Sequence, residues 1–370
     1  MYKAHFLFSL VSSLGIFKEA MRGSMTHLVG GSKLVPAYIT YPILASCLAL
    51  SACEQESRSV NVYSERQEPF IKPLLERFTA QSGIEVNLLT AKGDALIVKI
   101  AQEGKNSPAD VLITSDVARL TRAENAELLA MLPNNLYSQV PANARDAEHR
   151  WLGLTTRARV FVALKTAEAD QLPDTYLKMA DPVLGKGVCV RSSSNVYNQS
   201  LVAGLNARWG SSKTEQWAKG LVANMARAPQ GGDRDQIRAV ARGACRYALV
   251  NTYYLAAMLQ DDKDASLASE LKIIWPDQEG EGTHINISGI ALIKNAPNEA
   301  AALELIDYLL SEKAQEWYAD TNNEYPIKSS IKRSDVLEEF GVFKADNIAL
   351  EEIGNGNEEA VKIMDRAGWR

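Results

Sequence analysis

Strands and helices alternate along the chain beyond its N-terminal segment, and this rhythm limits the possible folds more than any other feature. Residues 60–63 and 84–89 have the pattern of strands, and residues 70–81 between them place apolar side chains on one helical face. A third strand at 109–113 follows a helical stretch at 94–102. This spacing predicts βαβ units and a parallel sheet. With 370 residues, the chain is long enough for two lobes with separate cores.

The N-terminal segment has the pattern of an export signal. Lys33 precedes an apolar stretch at 34–50, which contains two prolines and is followed by small residues. These features predict a cleaved signal over residues 1–52 rather than a membrane span, with Met25 as a candidate start. We therefore expect a periplasmic or otherwise extracytoplasmic protein.

The end of this signal, Leu-Ser-Ala-Cys, resembles the bacterial lipoprotein signal, in which the cysteine becomes the lipidated first residue. We expect Cys53 to carry the lipid and residues 53–59 to form a polar tether. An ordinary cleavage site that happens to contain a cysteine is the alternative. Any contact with the membrane would be made only through this anchor.

Two further cysteines would remain in an oxidising compartment after export. Cys189 and Cys245 lie in or next to neighbouring predicted strands. They could form a disulfide, or they could remain as two buried free thiols, because cysteine is often fully buried without a partner.

The composition excludes some classes of function. The chain is 46% hydrophobic and 23% charged, which is typical of a soluble globular protein. Its net charge is −5 and its isoelectric point is about 5.6. Because there is no basic excess, we do not expect it to bind nucleic acid.

Two adjacent tyrosines stand where a strand is predicted to give way to a helix. Residues 247–250 form an apolar strand end, and Asn251 and Thr252 provide a polar cap before Tyr253 and Tyr254. Neighbouring side chains can reach one point only where the backbone turns, as it does here. A hard trivalent cation displaces the phenol proton, and the helix N-terminus favours negative charge. The alternative is that both rings simply pack under the helix.

A second junction repeats this arrangement. A strand at 188–190 leads into serines at 192–194 and then Asn195, a sequence that predicts a helix cap, and Tyr197 falls in the first helical turn. In open α/β sheets, ligands bind at the carboxyl ends of strands, where helix N-termini gather. Two such junctions strengthen the prediction of a metal site.

A glycine-rich loop with mixed charge, residues 228–235, lies between the two junctions. Such a loop could hold a ligand or connect two helices. We favour the connector.

Several motifs resemble those of the ferric-iron-binding, substrate-binding proteins of bacterial ABC transporters. They occur in the family's order and cover nearly all of the mature chain. The most specific are Asn251-Thr252-Tyr253-Tyr254 and the Ser-Ser-Asn-Val-Tyr-Asn-Gln-Ser element at 193–200. The remaining motifs are shared more loosely and lie at 60–67, 107–111, 151–160, 286–289 and 324–326.

The resemblance implies a fold. It is the α/β, two-lobed Venus-flytrap fold of type II periplasmic binding proteins, with two hinge crossings between the lobes. We expect one lobe to contain residues 57–154 and 281–331, and the other to contain residues 155–280 and 332–370.

The resemblance also implies the metal ligands, all from the second lobe: Tyr197, Tyr253 and Tyr254. Many family members add a His, and sometimes a Tyr, from the loop after the first strand, where this chain has Gln67 and Glu68. A further position that can supply a Glu is Ser115 here. The chain therefore resembles the subgroup with three tyrosines and no histidine ligand.

Three phenolates would leave open positions on a six-coordinate Fe(III) ion. A synergistic anion, carbonate in related members, could fill two of them and would need a cationic partner. Arg157 is the first candidate, with Arg66 and Gln67 reaching across from the other lobe on closure. The alternative for Arg157 is a surface charge at a strand edge, and Glu68 remains an alternative direct ligand.

The implied function is capture of Fe(III) as cargo and its delivery to an ABC permease in the inner membrane. Metal could bind the open form first, and closure would then exclude water and strengthen the charge interactions in the cleft. We expect a monomer that performs no catalysis.

Two other interpretations are weaker. The same fold could bind another small ion or a polyamine, but such sites use aromatic boxes with carboxylates or clusters of backbone N–H groups. An exported hydrolase could use Ser192, Ser193 or Ser194, yet His149 and His284 stand in no recognisable triad context. No spacing typical of a zinc site is present.

Overall fold

The computed structural model describes residues 58–370, which form a mixed α/β structure. The strands are β1 (Ser59–Ser64), β2 (Glu85–Thr90), β3 (Val111–Thr114), β4 (Leu152–Leu164), β5 (Val188–Cys189), β6 (Tyr247–Asn251), β7 (Leu271–Ile274), β8 (Ile285–Leu292) and β9 (Tyr325–Pro326).

Helices flank these strands, and short 3₁₀ turns join several of them. The helices are α1 (Lys72–Ser82), α2 (Gly93–Glu103), α3 (Val117–Asn125), α4 (Asn134–Tyr137), α5 (Val196–Trp209), α6 (Ser211–Ala223), α7 (Asp233–Ala241), α8 (Thr252–Leu259), α9 (Ala265–Ala268), α10 (Glu299–Leu310), α11 (Glu312–Asn322), α12 (Asp335–Glu339), α13 (Leu350–Asn355) and α14 (Asn357–Arg366).

The predicted βαβ units are present at the start of the described chain. Strand β1 pairs in parallel with both β2 and β3. The complete order is β2-β1-β3-β8-β4-β6-β5, with β7 and β9 also pairing with β4. Strand β8 is antiparallel to β3 and β4, so the sheet is mixed rather than wholly parallel.

Strand β4 is the longest of the described strands and connects the two halves of the sheet. Its residues 152–158 pair with β8, whereas residues 159–163 pair with β6. Strands β4 and β8 therefore connect β1–β3 with β5–β7. Two strands that run from one group to the other are what a fold with two hinge crossings requires. The exact lobe boundaries stay a prediction.

Several apolar cores support the two groups of strands, and one of them contains both Leu112 of β3 and Leu249 of β6. A second core contains Val62, Leu74 and Leu305 and lies between β1, α1 and α10. A third contains Val250 and Leu255 and lies beside β6 and α8. Because Val250 and Leu255 are fully or almost fully buried, their packing fixes α8, the helix whose first turn carries the tyrosine pair.

The structure joins Cys189 and Cys245 in a disulfide, with their Cα atoms 5.8 Å apart. Val188, the first residue of β5, pairs with Tyr247, the first residue of β6. The disulfide therefore cross-links the two neighbouring strands that lead into the tyrosine junctions.

The predicted signal, its start at Met25 and the lipidation site Cys53 lie outside the described residues. Of the residues predicted to form the tether, Ser59 belongs to β1 and pairs with Glu85. Within residues 58–370, no helix combines the length and the apolar character needed to cross a membrane.

Candidate metal centre

A cleft with a volume of about 1060 Å³ contains all three predicted metal ligands in its lining. The side of β1 and β3 contributes Glu65, Arg66, Gln67, Glu68, Lys92, Ser115, Arg119 and Glu324. The side of β5 and β6 contributes Arg191, Ser192, Ser194, Asn195, Tyr197, Gly231, Arg234, Tyr253 and Tyr254.

Tyr253 and Tyr254 lie in the first turn of α8. The buried strand β6 ends at Asn251, whose extended backbone turns the chain into the helix. The two rings have centroids 4.4 Å apart and planes inclined at 40°. Asn251 Nδ2 donates a hydrogen bond of 3.2 Å to Tyr253 Oη. The turn therefore brings two consecutive phenols to one wall of the cleft.

Tyr197 reaches the same cleft from the neighbouring junction. It is the second residue of α5, which begins after the extended cap residue Asn195. Strands β5 and β6 are adjacent and parallel, so the helices that follow them begin at the same edge of the sheet. This topology explains why residues more than fifty positions apart in the sequence converge.

Burial keeps the phenols of the adjacent pair neutral in the absence of a metal. The surrounding protein removes water from Tyr253 and Tyr254 and raises the pKa of both phenols, and the nearby Tyr197 adds to each rise. A bound cation would have to displace these protons. A highly charged cation does so most readily, because it compensates several phenolates at once.

Arg157 lies behind Tyr197 and does not line the large cleft. Its guanidinium carbon is 5.3 Å from the centroid of the Tyr197 ring. Arg157 Nη2 donates to Asp116 Oδ2 at 3.1 Å, and the residue is only 2% exposed. The alternative of a surface charge at a strand edge is therefore wrong.

Arg66 and Gln67 lie in the loop after β1 and line the cleft. Arg66 is buried, and its Nη2 is shared between Glu324 and Thr155. Gln67 is exposed. Glu68 is exposed as well and pairs with Lys72 at 3.4 Å.

A buried charge cluster beside the tyrosines was not expected from the sequence. Asp233 is fully buried and accepts hydrogen bonds from Arg159 Nη1 at 2.6 Å and Arg191 Nη1 at 2.7 Å. Arg191 also lines the cleft, and its guanidinium carbon lies 5.7 Å from the Tyr197 ring centroid. Among the described residues, the other guanidinium nitrogens of Arg191 have no hydrogen-bond partner.

The glycine-rich loop does more than connect helices. Its Gly231 and Arg234 line the cleft, and Asp233 begins α7 while holding the two arginines. The mixed charge of this loop was the only sequence signal of such a role, but the arginines that Asp233 bonds lie far away in the sequence.

Other metal or catalytic groupings are not found in the part of the chain that the structure describes. No three His, Cys, Asp or Glu side chains there are grouped so that they could hold a metal ion. Burial lowers the pKa of His284 to about 3, and His149 stacks on Tyr137. Within residues 58–370, neither histidine hydrogen-bonds to the serines at 192–194, so the contacts do not support the hydrolase interpretation.

Comparisons with known proteins agree with this geometry. Residues 106–340 match the family described as bacterial extracellular solute-binding protein. The chain is 40% identical over 344 residues to Iron uptake protein A1 of Synechocystis sp., covering 89% of this chain and 96% of that protein.

Two solved structures are similar over their whole length. A Trichodesmium protein (IdiA, FutA) in complex with iron and citrate ligands is 42% identical, with a TM-score of 0.79, and the match covers 84% of this chain and 100% of that one. The apo ferric ion-binding protein A of Pasteurella haemolytica is 44% identical, with a TM-score of 0.80 and coverage of 84% and 98%.

Proposed function

The chain belongs to the family of bacterial extracellular solute-binding proteins, and from this premise we propose that it captures ferric iron and delivers it to an ABC permease. It has the fold of type II periplasmic binding proteins and works outside the cytoplasm. The observation that carries the proposal is the convergence of three tyrosines from two strand-to-helix junctions on one cleft.

The proposed metal ligands are the phenolates of Tyr197, Tyr253 and Tyr254. Their three negative charges would balance Fe(III), and each proton displaced would leave the cleft on binding. All three come from the side of β5 and β6, so iron can bind there before the cleft closes. Closure would then exclude water and strengthen these charge interactions.

The proposed lobes meet through β4 and β8. We place residues 57–154 with 281–331 in one lobe, and 155–280 with 332–370 in the other. The pairing of β4 first with β8 and then with β6 supports a hinge in these two strands. We further propose that the protein acts as a monomer and is anchored through lipid on Cys53.

Carbonate or a similar synergistic anion is proposed to complete the coordination of iron. Arg191 becomes the first candidate to hold it, because it lines the cleft beside Tyr197 and has donors to spare. Asp233 balances only one of its two arginine partners, so one positive charge remains for an anion. Arg157 and Arg66 each pair with a carboxylate that is not shared with a second arginine of this site, so their charges are balanced. Gln67 can add a neutral donor on closure.

Ferric iron supplied as a weak chelate with bicarbonate is expected to colour the protein and stabilise it. A visible phenolate-to-iron charge-transfer band should appear at one iron per chain. Iron at about 1,000 times its Kd would add about 4 kcal/mol to the free energy of unfolding. Because the unfolding entropy grows by about 2.1 cal/mol/K per residue, a folded chain of about 310 residues should gain about 6 °C in Tm.

Gallium(III) is the matched control, because it has the same charge but no accessible charge-transfer band, and it should stabilise without colour. A protein that stays colourless with iron, and whose Tm does not move with either metal, would contradict the proposed function.

Arg191→Gln is expected to weaken the dependence of iron binding on the anion. Loss of charge-assisted hydrogen bonds worth about 1.5–3 kcal/mol predicts a loss of iron affinity of about 10- to 150-fold in bicarbonate. The measurement is iron affinity by chelator competition at several bicarbonate concentrations. Arg234→Gln, which removes another arginine from the cleft lining, is the control. An unchanged bicarbonate dependence in Arg191→Gln would assign the anion to another residue.

A further inference from the structure

We propose that Asp116 is a positioning residue of the iron site, which cancels the charge of Arg157 behind Tyr197 and so preserves the electron donation of that phenolate to iron. The inference rests on the proposed function and assigns a role to a carboxylate that does not itself line the large cleft.

Asp116 is fully buried and accepts four hydrogen bonds. Its Oδ2 accepts from Arg157 Nη2 and from Asn286 Nδ2, both at 3.1 Å. Its Oδ1 accepts from Ser200 Oγ at 2.6 Å and from the backbone N–H of Ala118 at 3.0 Å. One carboxylate therefore joins β4, β8, α5 and the first turn of α3.

Helix capping explains only one of these contacts. Asp116 is the N-cap of α3, and the bond from Ala118 is sufficient for that purpose. The donors Arg157 and Asn286 lie on β4 and β8, the two strands that connect β1–β3 with β5–β7. The bond from Ser200 fixes α5 at a point three residues beyond Tyr197. Asp116 thus sets the position of Arg157 relative to the tyrosine helix.

The charge of Asp116 matters because Arg157 lies so close to a proposed ligand. The guanidinium carbon is 5.3 Å from the centroid of the Tyr197 ring, and both members of the ion pair are at most 2% exposed. Water cannot screen charges at this depth as it does at the surface. Without Asp116, the positive charge would hold the phenolate's electrons more tightly and repel the bound cation.

The sign of this effect can be measured in the charge-transfer band. An uncompensated positive charge lowers the energy of the phenolate electrons and raises the energy of their transfer to iron. Asp116→Asn should therefore shift the band to shorter wavelength. We also expect iron affinity to fall by about 10- to 100-fold, as when the partner of a metal ligand is lost.

Two variants separate charge from hydrogen bonding. Ser200→Ala removes one hydrogen bond to the same carboxylate without changing any charge, so its band should stay in place. The double variant Asp116→Asn with Arg157→Met removes both charges, and its band should return towards that of the wild type. A band that is unmoved in Asp116→Asn, equally moved in Ser200→Ala or unrestored in the double variant would overturn the proposal.

Arg157→Met provides a second test if Asp116→Asn folds poorly. It leaves the negative charge of Asp116 behind Tyr197 and should shift the band to longer wavelength, and a shift in the other direction or none would overturn the proposal. A crystal structure of metal-free Asp116→Asn gives a readout without iron, in which the guanidinium of Arg157 should leave the Tyr197 ring. If the wild-type protein showed no charge-transfer band with ferric iron, that result would instead refute the proposed function.

Discussion

Tyr254→Phe is expected to lose between about a hundredfold and a thousandfold of the affinity for ferric iron. A four-ligand structural metal site is worth about 10–16 kcal/mol, so each ligand contributes about 2.5–4 kcal/mol. Phenylalanine keeps the ring beside Tyr253, whose centroid is 4.4 Å away, and removes only the oxygen. The stability of the metal-free protein should therefore change little, while the iron site loses a charge and a donor atom.

The measurements are chelator competition, the charge-transfer band and the protons released on binding. Burial raises the pKa of Tyr253 and Tyr254 above the usual value for a phenol, so both are protonated near neutral pH in the metal-free protein. Iron binding must release these protons, and affinity should fall as the pH falls. Calorimetry in buffers of different ionisation enthalpy should find one proton fewer released in Tyr254→Phe.

Tyr308→Phe is the matched control, since Tyr308 lies on α10 beside Phe78 and does not line the cleft. It should retain the band and affinity of the wild type. If Tyr254→Phe also retained both, Tyr254 would not be a ligand.

Asp233→Asn is expected to lower the free energy of unfolding by about 3–5 kcal/mol, the usual cost of removing one partner from a buried ion pair. Asp233 is fully buried and bonds both Arg159, which is 2% exposed, and Arg191. It also accepts the backbone N–H of Asn251, the cap residue before the tyrosine pair. We therefore expect weaker iron binding together with the loss of stability.

Urea unfolding of the oxidised, metal-free protein measures this change. Asp174→Asn is the control, because Asp174 is exposed and its carboxylate pairs with the exposed Lys178, four residues further along the chain. Such a pair is worth at most about 1 kcal/mol. If the two variants lost similar stability, the buried cluster would not have the role that its contacts indicate.

The order of the sheet shows where prediction from the sequence stops. The parallel pairing of β1 with β2 and β3 follows from short-range alternation of strands and helices. The insertion of β8 between β3 and β4 does not, because its partners are far away in the sequence. The role of the glycine-rich loop could not be predicted for the same reason, because its Asp233 bonds arginines that lie 42 and 74 residues away in the sequence.

The sequence by itself determined the two tyrosine junctions and the chemistry that they offer. Apolar strand ends, polar caps and helix starts are local signals, and they placed Tyr197, Tyr253 and Tyr254 correctly at the beginnings of α5 and α8. Only the tertiary structure decided that Arg191 faces the cleft and that Arg157 lies behind Tyr197 against Asp116. The physical reason is that charge compensation depends on strand register and burial, which bring together residues that no local pattern connects.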